Sequence, residues 1–221
     1  MPLMVEDLSC RRDGRLVFAG LSFGLADGEA RLLQGPNGVG KSSLLRTLAG
    51  LVPAAGGRIT LDDTDPAETD LWAERVAYAG HLDAVKPQLT VEENLRFWAA
   101  VHGTAAVAPA LEAFDLAAIA GRPAHACSAG QKRRLGLARL LLARRRLWLL
   151  DEPTVALDRA AVARLLGVVS DHLAAGGMAL VATHVDLALT AAPPVVLAPP
   201  PAGRTHPGAP ADDPFLEGAF A

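Results

Sequence analysis

Apolar residues in the first fifty positions come in short runs broken by turn residues: Arg15 to Phe18, Leu21 to Leu25, and Ala30 to Gln34. Runs this short, bounded by glycine and aspartate, predict strands. The pattern changes at Lys41. In Lys41 to Ala49 (KSSLLRTLA), Leu44, Leu45 and Leu48 share one face and Gly50 follows, which predicts an amphipathic helix with a glycine stop. Thr90 to Glu93 (TVEE) has the spacing of a capping box and predicts the start of a helix through Phe97 and Trp98, with alanine-rich helical segments to about Ala120. A further helix is expected from Gln131 toward Arg146. Leu147 to Leu150 and Met178 to Ala182 are continuously apolar, as strands buried on both faces are. Strands alternating with helices predict an α/β fold with a mainly parallel core sheet, interrupted by a helical insertion over about residues 86–134.

Composition narrows this picture. Hydrophobic residues make up 51% of the 221-residue chain, yet no apolar run reaches the ~18 residues of a spanning helix. The first ten residues (MPLMVEDLSC) lack a basic region followed by an apolar core, so a secretory signal is not expected. Cys10 and Cys127 lie far apart without metal-ligand spacing, which suits a reducing cytoplasm. A net charge of −3 gives no bulk electrostatic reason to bind nucleic acid. Eight of the sixteen prolines fall between Pro193 and Pro214, so the folded domain is expected to end near residue 197 and residues 198–221 to form an extended or disordered tail.

The strongest chemical signal is Gly35-Pro36-Asn37-Gly38-Val39-Gly40-Lys41-Ser42, followed by Ser43, between a predicted strand and a predicted helix. It matches the phosphate-loop pattern at every fixed position: glycines let backbone amides converge on phosphates, Lys41 reaches the terminal phosphates, and the Ser42 hydroxyl can ligate Mg²⁺. A second signal ends the strand at Leu150, where Asp151 and Glu152 place two carboxylates at its tip. The first can hold Mg²⁺ and the second can orient or deprotonate an attacking water. ATP and Mg²⁺ are the cofactors implied.

The peptide Cys127-Ser128-Ala129-Gly130-Gln131, just ahead of a helix, resembles the signature peptide of ABC transporter ATPases; taken alone, its bland reading is a helix cap. The resemblance extends through Asp151-Glu152-Pro153-Thr154 to Ala156-Leu157-Asp158, similar to that family's dimer-contact loop, and to His184, similar to its switch histidine. It implies an ABC-type P-loop ATPase fold with an antiparallel N-terminal β subdomain and a helical signature subdomain. It also implies a head-to-tail pair in which Ser128, Gly130, Gln131 and Asp158 serve ATP on the opposite subunit, with Glu152 and His184 catalytic. Integral membrane subunits would be the partners, on the cytoplasmic face of a bacterial inner membrane. Two positions depart from the family pattern. His81 stands where a Mg²⁺-ligating glutamine is usual. Mg²⁺ binds imidazole poorly, so this corner of the site is expected to be completed by water and basal hydrolysis to be slow; the alternative is that His81 is a loop residue and nearby Gln88 compensates. Arg12 stands near the usual adenine-stacking aromatic, and its planar guanidinium can either stack on a base or remain an exposed charge.

Within the family, Phe18 to Phe23 (FAGLSF), Gly80-His81, Ser128 to Arg134 (SAGQKRR) and Leu147 to Pro153 (LWLLDEP) resemble the ATP-binding subunit of the bacterial haem exporter of cytochrome c maturation. That resemblance implies haem export or release of a haem-loaded chaperone; a transporter for another cargo is the alternative. A soluble ABC-type ATPase of DNA repair or translation is less favoured, because Lys41 to Ser128 holds no sustained heptads and the chain holds one cassette. Lys132, Arg133, Arg134, Arg139, Arg144, Arg145 and Arg146 are expected to form the solvated face of the helix after Gln131. Phe97 and Trp98 suit either the core or a groove for a membrane subunit's coupling helix.

Overall fold

The computed structural model describes residues 2–185, 187, 189 and 192–199. In chain order its elements are β1 (Leu3–Arg12), β2 (Arg15–Leu25), β3 (Ala30–Gln34), α1 (Lys41–Leu48), β4 (Gly56–Leu61), α2 (Thr69–Ala73), β5 (Val76–Ala79), α3 (Val91–Val101), α4 (Ala108–Ala113), α5 (Ala129–Ala143), β6 (Leu147–Asp151), α6 (Arg159–Ala174), β7 (Met178–Ala182) and β8 (Val195–Val196). Two short 3-10 turns lie at Ala117–Ile119 and Ala124–Ala126.

The strands divide into two sheets. One is antiparallel, ordered β2-β1-β4; the other has five parallel strands, ordered β5-β6-β7-β3-β8. Alternation along the central strands separates two cores. In β6 and β7, Leu147, Leu149, Met178, Leu180 and Ala182 face a core shared with β1, β4 and α1. Trp148, Leu150, Ala179 and Val181 face the opposite core, shared with α3, α4, α5 and α6. Both faces are covered, which is why these strands read as unbroken apolar runs.

The predicted strands at Arg15 to Phe18 and Leu21 to Leu25 are one strand, β2, which continues through Gly20 because the β1–β2 ladder absorbs register shifts on that stretch. The capping box predicted at Thr90 is formed: Glu93 N donates to Thr90 Oγ1 at 3.2 Å and Thr90 N to Glu93 Oε2 at 2.8 Å. Helix α5 begins at Ala129, two residues before Gln131, and ends at Ala143, where Arg144 turns left-handed with φ 50°. Of the described residues, no helix is long and apolar enough to cross a membrane. The expected tail, beyond Ala198 and Pro199, lies outside the described residues.

Candidate functional site

The chain leaves β3 at Gln34, turns through Gly35 to Gly40, and enters α1 at Lys41. Gly40 is the N-cap, with φ 110°, a conformation that L side chains rarely adopt, and a Cβ there would collide with Val17 Cγ1 of the β1–β2 hairpin. No side chain caps α1, so its first-turn amides carry no internal cap bond. Lys41 is buried, and its ammonium folds over the loop, donating to the carbonyls of Gly35 at 2.8 Å and Pro36 at 3.2 Å. Ser42 and Ser43 stand in the same first turn, where Thr47 Oγ1 donates to the Ser43 carbonyl at 2.9 Å. Arg12 lies at the exposed end of β1, with its Nε 3.8 Å from Asp13.

The two carboxylates sit at the end of β6. Asp151 is buried, and the Tyr78 hydroxyl donates to its Oδ2 at 3.2 Å. Burial raises the Tyr78 phenol above its usual pKa, and the Asp151 carboxylate pushes it the same way, so it serves as a proton-bearing donor. Glu152 has a left-handed backbone, φ 47°, and its N–H donates to the Ala182 carbonyl of β7 at 2.8 Å. Its Oε1 is 3.1 Å from His184 Nε2. A carboxylate and an imidazole are thus joined at the carboxyl end of adjacent parallel strands. His81 is exposed just beyond β5 and lines a groove with Asp83, Lys132 and Val155.

Ser128, Gly130, Gln131 and Asp158 come together elsewhere, in a groove completed by Arg134, Ala156, Leu157 and Ala161. No phosphate-loop residue lines it. Ser128 is the N-cap of α5 in a reciprocal capping box: Gln131 N donates to Ser128 Oγ at 3.2 Å and Ser128 N to Gln131 Oε1 at 2.9 Å. Asp158 caps α6 by accepting from Ala161 N at 2.8 Å. Two helix N-termini therefore open into this groove. A Cβ at Gly130 would lie 2.7 Å from the Ala156 carbonyl oxygen, so the turn before α6 packs directly on the α5 backbone.

Most of the arginines on α5 turn inward rather than forming a solvated face, whereas Arg144, just past its end, is exposed. Arg133 is buried, and Arg139 is directed inward, donating to the Tyr78 carbonyl at 2.6 Å and lying 5.3 Å from the Trp98 ring centroid. Burial lowers the Arg139 pKa. Arg134 binds the carbonyls of Phe114 and Asp115 and pairs with the Asp115 carboxylate. Backbone carbonyls, which a charge count along the sequence does not see, take up these cations. Trp98 is half-buried against the helical core, whereas Phe97 is exposed with Lys86 Nζ 4.3 Å from its ring centroid. Sequence reasoning also missed Tyr78 and Val17; the tyrosine's only signal was a polar tip inside an apolar strand run.

The ABC transporter family matches residues 18–155. The chain is 53% identical to the cytochrome c biogenesis ATP-binding export protein CcmA of Cereibacter sphaeroides, over 97% of this chain and 98% of that protein. It is 56% identical to the protein of the same name from Ruegeria pomeroyi, over 86% and 89%. Among solved structures, one described as the ATP binding subunit of an ABC transporter superposes with a TM-score of 0.78 at 28% identity, covering 84% of this chain and 80% of that one. The cbiO1 structure from Clostridium perfringens, described as part of the ABC transporter complex cbiONQ, superposes with a TM-score of 0.71 at 26% identity, covering 83% and 78%.

Proposed function

Because this chain belongs to the ABC transporter family, we propose that it is the ATP-hydrolysing motor subunit of a transporter acting in cytochrome c biogenesis, in haem export or haem-chaperone release. The observation that carries the hydrolytic reading is the 3.1 Å contact between Glu152 Oε1 and His184 Nε2 at the end of the strand that leads out from the core. Relatives at 50–56% identity over most of the chain support the biological setting.

ATP phosphates fit the Gly35–Ser43 turn, whose uncapped helix end and buried ammonium together favour multiple negative charges. Lys41 exchanges the carbonyls of Gly35 and Pro36 for the terminal phosphates. The Ser42 hydroxyl and Asp151 carboxylate are hard oxygen donors that suit Mg²⁺, and Tyr78 fixes the orientation of Asp151. The ion, when bound, neutralises charge on the terminal phosphate oxygens. Glu152 accepts a proton from the attacking water as its oxygen bonds to the terminal phosphorus and the bond to ADP breaks. His184 orients the Glu152 carboxylate and faces the phosphoryl group. Arg12, on the hairpin beside the loop, offers its guanidinium plane to the adenine. His81 lines the approach to the site from the β5 side.

The groove at Ser128 is lined by Gly130, Gln131 and Asp158 and by no phosphate-loop residue, which supports a reading in which each chain supplies half of two sites. A head-to-tail pair joins the Ser128, Gly130, Gln131 and Asp158 of one chain to the ATP of its partner. Residues 1–197 are the ATP-binding domain, with the helical part over about 86–134 carrying Phe97 toward a membrane subunit on the cytoplasmic side. The test is covalent haem in c-type cytochromes of a host lacking the gene, complemented by the intact gene or by Lys41→Ala. Restoration by the intact gene alone supports the proposal; normal haem attachment without the gene removes the cytochrome assignment and leaves the ATPase.

A further inference from the structure

Arg133 lies just past the Cys127–Gln131 peptide, outside the phosphate loop and the Asp151-Glu152 pair, and its side chain is heavily engaged. It is 5% exposed. Its Nε donates to the Pro153 carbonyl at 3.4 Å; one terminal nitrogen donates to the Gly80 carbonyl and to Asp83 Oδ1, both at 2.9 Å. The other donates to the Asp151 carbonyl at 3.0 Å and the Glu152 carbonyl at 2.8 Å. All five guanidinium N–H groups are used, and four of the acceptors belong to backbone. Three consecutive residues at the end of β6 are thus gripped from one side by a side chain of α5, while β7 holds Glu152 from the other through its N–H.

The grip falls where the backbone is strained. Glu152 has φ 47° and Ala156, four residues on, has φ 63°, so this turn keeps its shape only if its surroundings impose it. The same helix is pressed on both neighbours of Arg133 along an i, i+3 ridge: a Cβ at Gly130 would lie 2.7 Å from the Ala156 oxygen, and one at Gly136 would lie 2.8 Å from the Asp83 oxygen. Helix α5, whose first turn carries Ser128 and Gln131, therefore cannot shift along its axis without moving the carbonyls of Asp151 and Glu152 and the loop at Gly80 to Asp83.

We propose that Arg133 is a positioning residue for hydrolysis: it holds Glu152 in its left-handed backbone so that the carboxylate meets His184 and the attacking water, and it makes that alignment depend on the seating of α5. This rests on Glu152 acting as the base. The guanidinium fork is essential, because a lysine in its place carries the charge to Asp83 but cannot reach five acceptors with three donors.

The experiment compares wild type, Arg133→Lys, Asp83→Asn and Glu152→Gln in the full-length protein, measuring ATP turnover, binding of a fluorescent ATP analogue, and thermal midpoint. Arg133→Lys lowers kcat roughly tenfold or more while KM and analogue affinity stay within about twofold, the pattern of an interaction needed only for the chemical step. Asp83→Asn, which leaves the carbonyl contacts in place, lowers kcat severalfold at the same KM and serves if Arg133→Lys does not fold. Unchanged kcat in the folded variants, or a kcat loss matched by lost affinity, overturns the inference. Full turnover by Glu152→Gln instead overturns the reading of Glu152 as the base, whereas a dead Glu152→Gln beside a fully active Arg133→Lys sinks the Arg133 role alone.

Discussion

Helices α1 and α5, whose N-termini would both serve phosphate under the proposed function, are finished in opposite ways. At α1 the cap is Gly40, with no side chain to satisfy the first amides. At α5 the cap is Ser128, closed by Gln131 in a reciprocal box that uses an amide at each end. The uncapped end is costly for the free chain, and a ligand recovers that cost; the capped end is stable alone and offers only its hydroxyl and exposed turn. Under the proposed function, the difference teaches that the phosphate loop is suited to bind by itself and the Ser128 groove to complete something already bound.

Four measurements would break or sharpen this contrast, beginning with the largest effect. Glu152→Gln keeps the phosphate loop intact while removing the carboxylate paired with His184, so ATP turnover falls on the order of 10²-fold or more with nucleotide affinity retained; parallel turnover and binding assays check this. Ser128→Asp separates the two duties of the serine. Aspartate caps as well as serine, so the thermal midpoint is unchanged, yet its charge opposes a partner's terminal phosphate and turnover falls by about tenfold or more. If turnover survives, Ser128 is a helix cap and nothing else.

Gly40→Ala tests the uncapped end. It forces a Cβ into Val17 at φ 110° and costs about 2 kcal/mol, read as a fall of several degrees in thermal midpoint together with weakened nucleotide binding. The smallest effect is expected at a helix end far from any phosphate. His172 stacks on Trp148 at 3.8 Å and its Nε2 lies 3.2 Å from the Met178 carbonyl; burial is the main cause of a pKa below the usual 6.5. The unfolded chain therefore takes up this proton more readily, and stability present above about pH 6.5 declines as the pH falls through that value. Thermal melts at pH 7.5 and 5.5 measure it, and His172→Phe flattens the difference.

Much of the site was legible because its chemistry is local. The phosphate loop, the Asp151-Glu152 strand end and the Thr90 capping box each occupy one short peptide whose residue types have few alternative uses. The parallel sheet was legible for the same reason, since β6 and β7 are buried on both faces and leave unbroken apolar runs. The Ser128–Gln131 box has the same spacing as Thr90–Glu93, and the helix cap that is the bland reading of this peptide is formed, with α5 starting two residues before Gln131. Arg133 and Arg139 were misread because most of their partners are backbone carbonyls of Tyr78, Gly80 and residues 151–153, brought beside α5 only by the tertiary fold. Tyr78 was invisible in the same way, since its partner Asp151 lies 73 positions away.

The separation of the Ser128 groove from the phosphate loop has a consequence for heredity. Under the proposed pairing, a chain damaged at Lys41 and another damaged at Ser128 do not merely share their defects. Placed together, they gather both lesions into one composite site and leave the other wholly sound. Two inactive alleles would therefore yield a partly working pair, while either allele alone spoils half the sites of a normal partner.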